Sequence, residues 1–157
     1  MARAFTQEDD NEGLADVGEL PVSTARNLVT EEGLKFIEAQ LHDLHEQLGQ
    51  AERQEDREKM AIASRDLRYW QARRENAELT RPEPDETVVR FGMQVTLRKE
   101  DGKPVTWKIV GEDEADPVKG KISHVSPMAQ ALFGKAVGEV VTVNDAEWEI
   151  IKLTVPN

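Results

Sequence analysis

The sequence predicts an α+β fold: an N-terminal antiparallel coiled-coil hairpin, then a small antiparallel sheet carrying one helix. Three observations predict it. Apolar residues recur at alternating steps of three and four in two separate stretches, the spacing of a helix seam. A Pro-rich acidic segment, TRPEPDET at residues 80–87, then interrupts the pattern. Beyond it the period falls to two and Val, Ile, Thr and Trp dominate, as in strands.

The first seam is Leu34, Ile37, Leu41, Leu44, Leu48 and Ala51. Thr30 stands where an N-cap belongs, and Glu31 and Glu32 suit the positive end of a helix. The second seam is Met60, Ala63, Leu67, Trp70, Arg74 and Ala77. The two are out of phase, because Ala51 to Met60 is a step of nine where a continuous seam steps by seven. One straight helix would rotate its apolar stripe there, whereas a chain that reverses need not. Pairing Leu34 with Ala77 and Ala51 with Met60 puts the reversal between Glu55 and Asp56. Each arm then has about 24 residues and runs roughly 36 Å.

The reversal coincides with AERQEDREKM, residues 51–60, which gathers Glu52, Glu55, Asp56 and Glu58 and has no Gly or Pro. Residues 1–27 are polar and acidic without sustained periodicity, as in a disordered tail. The organisation is therefore a tail over 1–27, the hairpin over 28–80, a stiff linker over 81–87 and a C-terminal domain over 88–157. In that domain VVRFGMQVTLR, PVTWKIVG and EVVTVNDAEWEIIKLTV read as strands, and EDGK as a hairpin turn. SPMAQALFGK reads as the one helix: Ser126 caps it, Pro127 takes its first position and Gly134 takes the left-handed site after it.

Composition narrows the function classes. The 157 residues carry a formal net charge of −11, which opposes direct binding to nucleic acid or anionic membranes. There is no Cys, hence no disulfide, thiolate metal site or thiol nucleophile. The longest apolar runs are a few residues and the N-terminus lacks an apolar signal core, so the expected location is cytoplasmic. His42 and His45 read as surface residues of the first helix, and His124 as an exposed strand residue or a partner contact. Ser126 has no base beside it and reads as a cap rather than a nucleophile. RYWQARR, residues 68–74, combines aromatic and basic residues but reads as packing in so acidic a chain.

The C-terminal half also carries an ordered set of motifs. Phe91, Gly92, Val95 and Thr96 are followed by Ile109, Val110, Gly111, Asp113, Glu114, Ala115 and Asp116. Then come Ile122 and Ser123, and finally Ser126, Pro127, Ala129, Leu132, Gly134 and Lys135. In this the chain resembles the Gre-factor family, bacterial transcript-cleavage elongation factors that bind RNA polymerase. LVTEEGLKFIEAQLHDL, with Thr30 and Gly33, is similar to the start of the family's coiled coil, so the resemblance covers roughly residues 28–155.

The resemblance implies a coiled-coil hairpin followed by a domain of the FK506-binding-protein (FKBP-like) fold. It implies a monomeric accessory factor, not an enzyme, whose globular domain docks at the rim of the polymerase secondary channel while the hairpin enters it. Asp113, Glu114, Asp116, Ile122, Ser123, Ser126 and Pro127 would be the partner-binding residues. Glu52, Glu55, Asp56 and Glu58 would be the tip acids that help hold a Mg²⁺ at the polymerase active site. Carboxylate oxygens suit that hard cation. No metal or cofactor of the protein's own is expected, and RNA or DNA would be met only within the transcription complex. The family tip carries a Gly and a Tyr absent here, and this hairpin is several turns shorter. The alternatives are a non-cleaving channel regulator that competes with cleavage factors, or a helical-hairpin interaction module unrelated to polymerase. A prolyl-isomerase role would need an aromatic-lined cleft, and aromatics make up only 5% of the chain.

Overall fold

A computed structural model describes residues 17–156. The chain divides into two compact units. One contains Phe36–Asn76 together with the described residues before Ala25; the other contains Ala25–Lys35 and the chain from Ala77 onward. In order, the elements are β1 (Asn27–Val29), α1 (Glu31–Arg53), α2 (Arg57–Glu75), β2 (Ala77–Leu79), β3 (Gln94–Arg98), β4 (Val105–Val110), β5 (Lys121–Ser123), α3 (Pro127–Leu132), β6 (Val140–Val143) and β7 (Ala146–Thr154).

In the helical unit α1 and α2 form an antiparallel hairpin. Ile37, Leu44 and Ala51 are buried along α1, and Ala63 and Leu67 along α2. Phe36 meets Trp70 edge-on at 5.7 Å, and Glu38 pairs with Arg74 at 3.1 Å. The second seam differs from expectation at its end. The buried arginine is Arg73, 1% exposed, whereas Arg74 lies outside with Glu38. A step of three from Trp70 is as compatible with a helix face as a step of four. Ala77 belongs not to the helix but to β2.

The reversal at the tip falls where the phase break places it, and its hydrogen bonds explain how it turns without Gly. After Arg53, Glu55 takes a left-handed backbone at φ 56°. Its N–H donates to the carbonyl of Glu52 at 3.1 Å, and the N–H of Asp56 donates to that of Ala51 at 2.9 Å. This paired arrangement is the Schellman C-cap, in which Glu55 occupies the position usually taken by Gly. Asp56 then starts α2 as its N-cap, with Oδ1 accepting the N–H of Lys59 at 3.1 Å.

Residues 1–16 of the expected tail lie outside the described residues. Residues 17–27 are described, and they make specific contacts. Glu19 takes a bidentate hydrogen bond from Arg68 at 2.6–2.9 Å, which holds its carboxyl below the usual carboxylate value. Asn27 begins β1. β1 pairs in parallel with β2, and Arg26 braces the pair against Glu78 at 2.6 Å.

The larger sheet runs β5-β4-β3-β7-β6. It is mixed rather than wholly antiparallel, because β5 lies parallel to β4. The chain returns for that pairing through two short 3-10 turns, Glu112–Glu114 and Pro117–Lys119. The first expected strand is shorter than its apolar run. Residues 88–93 are irregular, with Val89 tied to Lys135 and Gly134 and with Gly92 at φ 90°. Asn144 and Asp145, both at positive φ, make the two-residue turn between β6 and β7. One face of the sheet and α3 enclose a core of Val89, Phe91, Val95, Leu97, Ile109, Ile122, Ala129, Leu132, Val141, Val143 and Ile150. Each large member contributes about 1.5–3 kcal/mol by leaving water. No helix among the described residues is long and apolar enough to cross a membrane.

The tip geometry gives a stability test. A non-Gly residue in the left-handed region costs roughly 1–2 kcal/mol. Glu55→Gly should therefore stabilise the protein by about 1 kcal/mol in urea unfolding. Glu55→Val should destabilise it, since a branched side chain fits that backbone worst.

Candidate functional site

The residues singled out by sequence fall in two places, one in each unit. At the hairpin tip Glu52, Glu55 and Glu58 are exposed. Asp56 differs: its Oδ1 is engaged as the α2 cap, and its Oδ2 lies 3.9 Å from the Lys59 ammonium. Arg53 and Arg57 flank the group. Among the described residues, no three tip carboxylates converge to the distance of a common cation. The tip is a capped turn that leaves Glu52, Glu55 and Glu58 exposed.

The second place is the stretch from Gly111 to Pro127 on the sheet-bearing unit. Glu114 turns inward. Its Oε2 accepts the backbone N–H of Thr30 at 3.2 Å and that of Gly111 at 3.1 Å, and its Oε1 accepts the Thr30 hydroxyl. Thr30 in turn caps α1, its Oγ1 accepting the N–H of Gly33 at 3.0 Å. A Cβ on Gly33 would lie 2.1 Å from Glu114 Oε2, so Gly is what lets the carboxylate reach the helix start. A negative group there also faces the positive end of the α1 dipole. In the same first turn, Glu32 is held below the usual carboxylate value, first by its own backbone N–H and then by Lys108, which lies 4.0 Å away, and by Lys121.

The other residues of the stretch separate into core and surface. Ile122, expected in a partner surface, packs in the core at 8% exposure. His124 is likewise buried, 5.5 Å edge-on to Phe91, with its carbonyl accepting Gln130 Nε2 at 2.7 Å. It is neither an exposed strand residue nor a surface contact. Alternation could have shown this, because His124 is two residues past Ile122 and so shares its face. Asp113 and Asp116 are half-buried, and Asp116 exchanges backbone hydrogen bonds with Lys121 at 2.9 and 3.1 Å. Ser123 Oγ accepts the Val125 N–H at 3.1 Å, and Ser126 Oγ caps α3 through Ala129 at 3.3 Å. Pro127 is exposed. Two apolar residues not singled out by sequence join this surface: Val125, 39% exposed, and Val118, 95% exposed at the apex of a 3-10 turn. A lone Val in a polar stretch carries no periodic signal.

The surface groups of this stretch are a proline, two serines whose hydroxyls accept backbone N–H groups, and exposed valines, a chemistry of protein–protein contact.

Comparison with known proteins agrees in the same region. The family model described as "Transcription elongation factor, GreA/GreB, C-term" matches residues 83–155. Over these residues the chain is similar to the C-terminal domain of GreA/GreB factors. A protein of Thioalkalivibrio sulfidiphilus named "Transcription elongation factor GreA" is 53% identical over 68 residues, which are 40% of this chain and 43% of that protein. One of the same name from Alkalilimnicola ehrlichii is 50% identical over 70 residues, 41% of this chain and 44% of that protein. The chain thus spans less than half the length of the curated relatives it matches. Among solved structures, the GreA factor homolog 1 of Thermus thermophilus is 22% identical with a TM-score of 0.40, covering 82% of this chain and 99% of that one. A GreA/GreB factor from Nitrosomonas europaea gives 19% and 0.40 over 83% and 99%.

The Glu114–Gly33 contact makes a cycle. Glu114→Ala should cost about 1–3 kcal/mol, because it leaves backbone donors of the helix start without their acceptor. Gly33→Ala alone should destabilise by pushing the carboxylate away. In the Glu114→Ala background the same change should become neutral or stabilising, since Ala gains about 1 kcal/mol over Gly in a helix. Chemical denaturation of the four proteins measures the coupling; additive losses would contradict it.

Proposed function

We propose that the protein is an accessory transcription factor that binds bacterial RNA polymerase at the rim of its secondary channel and modulates elongation. The observation that carries this reading is the GreA/GreB match over residues 83–155, beside relatives named as transcription elongation factors. The hairpin supports it, because a two-helix arm whose tip carries four acids is a form that can enter a channel closed to a globular domain. The net charge of −11 fits contact with protein rather than with nucleic acid. Docking would use the outward groups of the Gly111–Pro127 stretch: Asp113, Asp116, Ser123, Ser126 and Pro127, with Val118 and Val125 beside them. Ile122 and Glu114 would support that surface from inside.

A second reading is favoured by the tip itself. Asp56 is engaged as a helix cap, and among the described residues no three tip carboxylates converge, so a Mg²⁺ would need most of its ligands from the polymerase complex. On that reading the protein occupies the channel and competes with cleavage factors without stimulating cleavage.

Two measurements test these readings. Pro127→Ala with Val125→Ser should weaken polymerase binding by about tenfold or more if they remove two buried contacts of about 1 kcal/mol each; undiminished binding would refute this docking surface. In a stalled, backtracked elongation complex with Mg²⁺, RNA cleavage lost on changing Glu52, Glu55 and Glu58 to Ala would establish a cleavage factor. Competition with a cleavage factor but no cleavage would establish the channel regulator.

A further inference from the structure

A cluster of metal-ligating groups lies on α1 well before the tip, and the function above does not use it. His42, Asp43 and Glu46 are exposed, and one ligand atom from each lies within 4.8 Å of the others. The arrangement comes from helix geometry. His42 and Glu46 are one turn apart at i and i+4, Asp43 and Glu46 at i and i+3, so the three share one surface of the helix. His42 Nδ1 already faces Asp43 Oδ1 at 3.5 Å. The backbone beneath them is fixed, because Leu44 of the same turn is buried in the hairpin seam. An acidic surface alone would not suggest a site. The imidazole is what distinguishes this cluster.

We propose that His42, Asp43 and Glu46 form a site for a borderline divalent transition metal of the Zn²⁺ class, completed by water. One imidazole nitrogen and two carboxylate oxygens, with open positions, suit such an ion; Mg²⁺ and Ca²⁺ prefer an all-oxygen shell. Binding would tie two successive turns of α1 together, stabilising the hairpin increasingly as metal concentration rises. His45 is the internal control. It lies in the same stretch of helix and brings an equal imidazole, yet it is not part of the cluster.

The test is calorimetric titration of the full chain with Zn²⁺ at neutral pH in a non-chelating buffer, with a large excess of Mg²⁺ present. The expected result is one Zn²⁺ per chain. Affinity should fall more than about tenfold in His42→Ala and in Glu46→Gln, and stay unchanged in His45→Ala. Circular dichroism guards against unfolding, and Ala in place of His favours the helix. A variant with Glu52, Glu55 and Glu58 changed to Ala should bind Zn²⁺ as the parent does, which separates this site from the tip. The absence of saturable binding would overturn the proposal. So would displacement by Mg²⁺, insensitivity to His42→Ala, or an equal loss in His45→Ala or in the tip variant.

Discussion

The hairpin starts from a helix terminus held by a carboxylate far along the chain. Glu114 lies 84 residues beyond Thr30 and accepts both its N–H and its hydroxyl, while Thr30 caps Gly33. The first turn of a helix leaves N–H groups without intrahelical partners. Here three sources meet that need in one place: a side-chain cap, a distant carboxylate and the charges of Glu31 and Glu32. The same carboxylate binds Gly111 at the end of β4, so the loop after β4 and the start of α1 share one acceptor. This gives Thr30, Gly33, Gly111 and Glu114 a common physical reason. Only a residue without a Cβ leaves room at 33, and the carbonyl of Leu28 stands 2.5 Å from where a Cβ would be at 111.

That relation also marks the boundary of what was legible in the sequence. The two helices, the reversal between Glu55 and Asp56, the Thr30 and Ser126 caps and strands β3, β4 and β7 follow from local patterns, whereas the turn at Asn144 and Asp145 splits the last expected strand in two. Those patterns act over a few residues, where spacing and capping chemistry are written directly. The short strands β1 and β2 escaped because three residues hold no measurable period. Their pairing joins Asn27–Val29 to Ala77–Leu79 across the whole hairpin. The parallel placement of β5 on β4 escaped for a related reason. It depends on how two 3-10 turns redirect the chain, and DPVKGK shows only that the chain turns. Arg73 and Arg74 show a third limit, because adjacent positions both satisfy a helical stripe and tertiary packing selects between them.

Of the candidate sites, the positions were legible and the orientations were not. Motif spacing located the Gly111–Pro127 stretch but could not divide it into residues that face in and residues that face out. Glu114 and Ile122 hold the stretch together, whereas Ser123, Ser126 and Pro127 lie at its surface with Val118 and Val125. The serines are held there by their own local bonds, Ser123 to Val125 and Ser126 to Ala129, so their backbone is fixed before any partner arrives. A surface of that kind loses little conformational entropy on binding.

The same division answers why carboxylates gather where the hydrophobic rhythm breaks. A reversing chain exposes carbonyls at the end of one helix and N–H groups at the start of the next. The carbonyls of Ala51 and Glu52 are met by the Schellman bonds, and the N–H of Lys59 is met by Asp56. Asp56 is thus part of the turn's construction. Glu58, in the first turn of α2, adds favourable charge at the positive helix end. Glu52 and Glu55 make no such contribution. Glu52 lies at the end of α1, where a negative charge faces a negative dipole, and Glu55 occupies a left-handed position that Gly would fill at lower cost. Local stability therefore explains half of the acids and opposes the other half. Glu52 and Glu55 thus sit against their own structural preference, and the stability of the turn does not account for them.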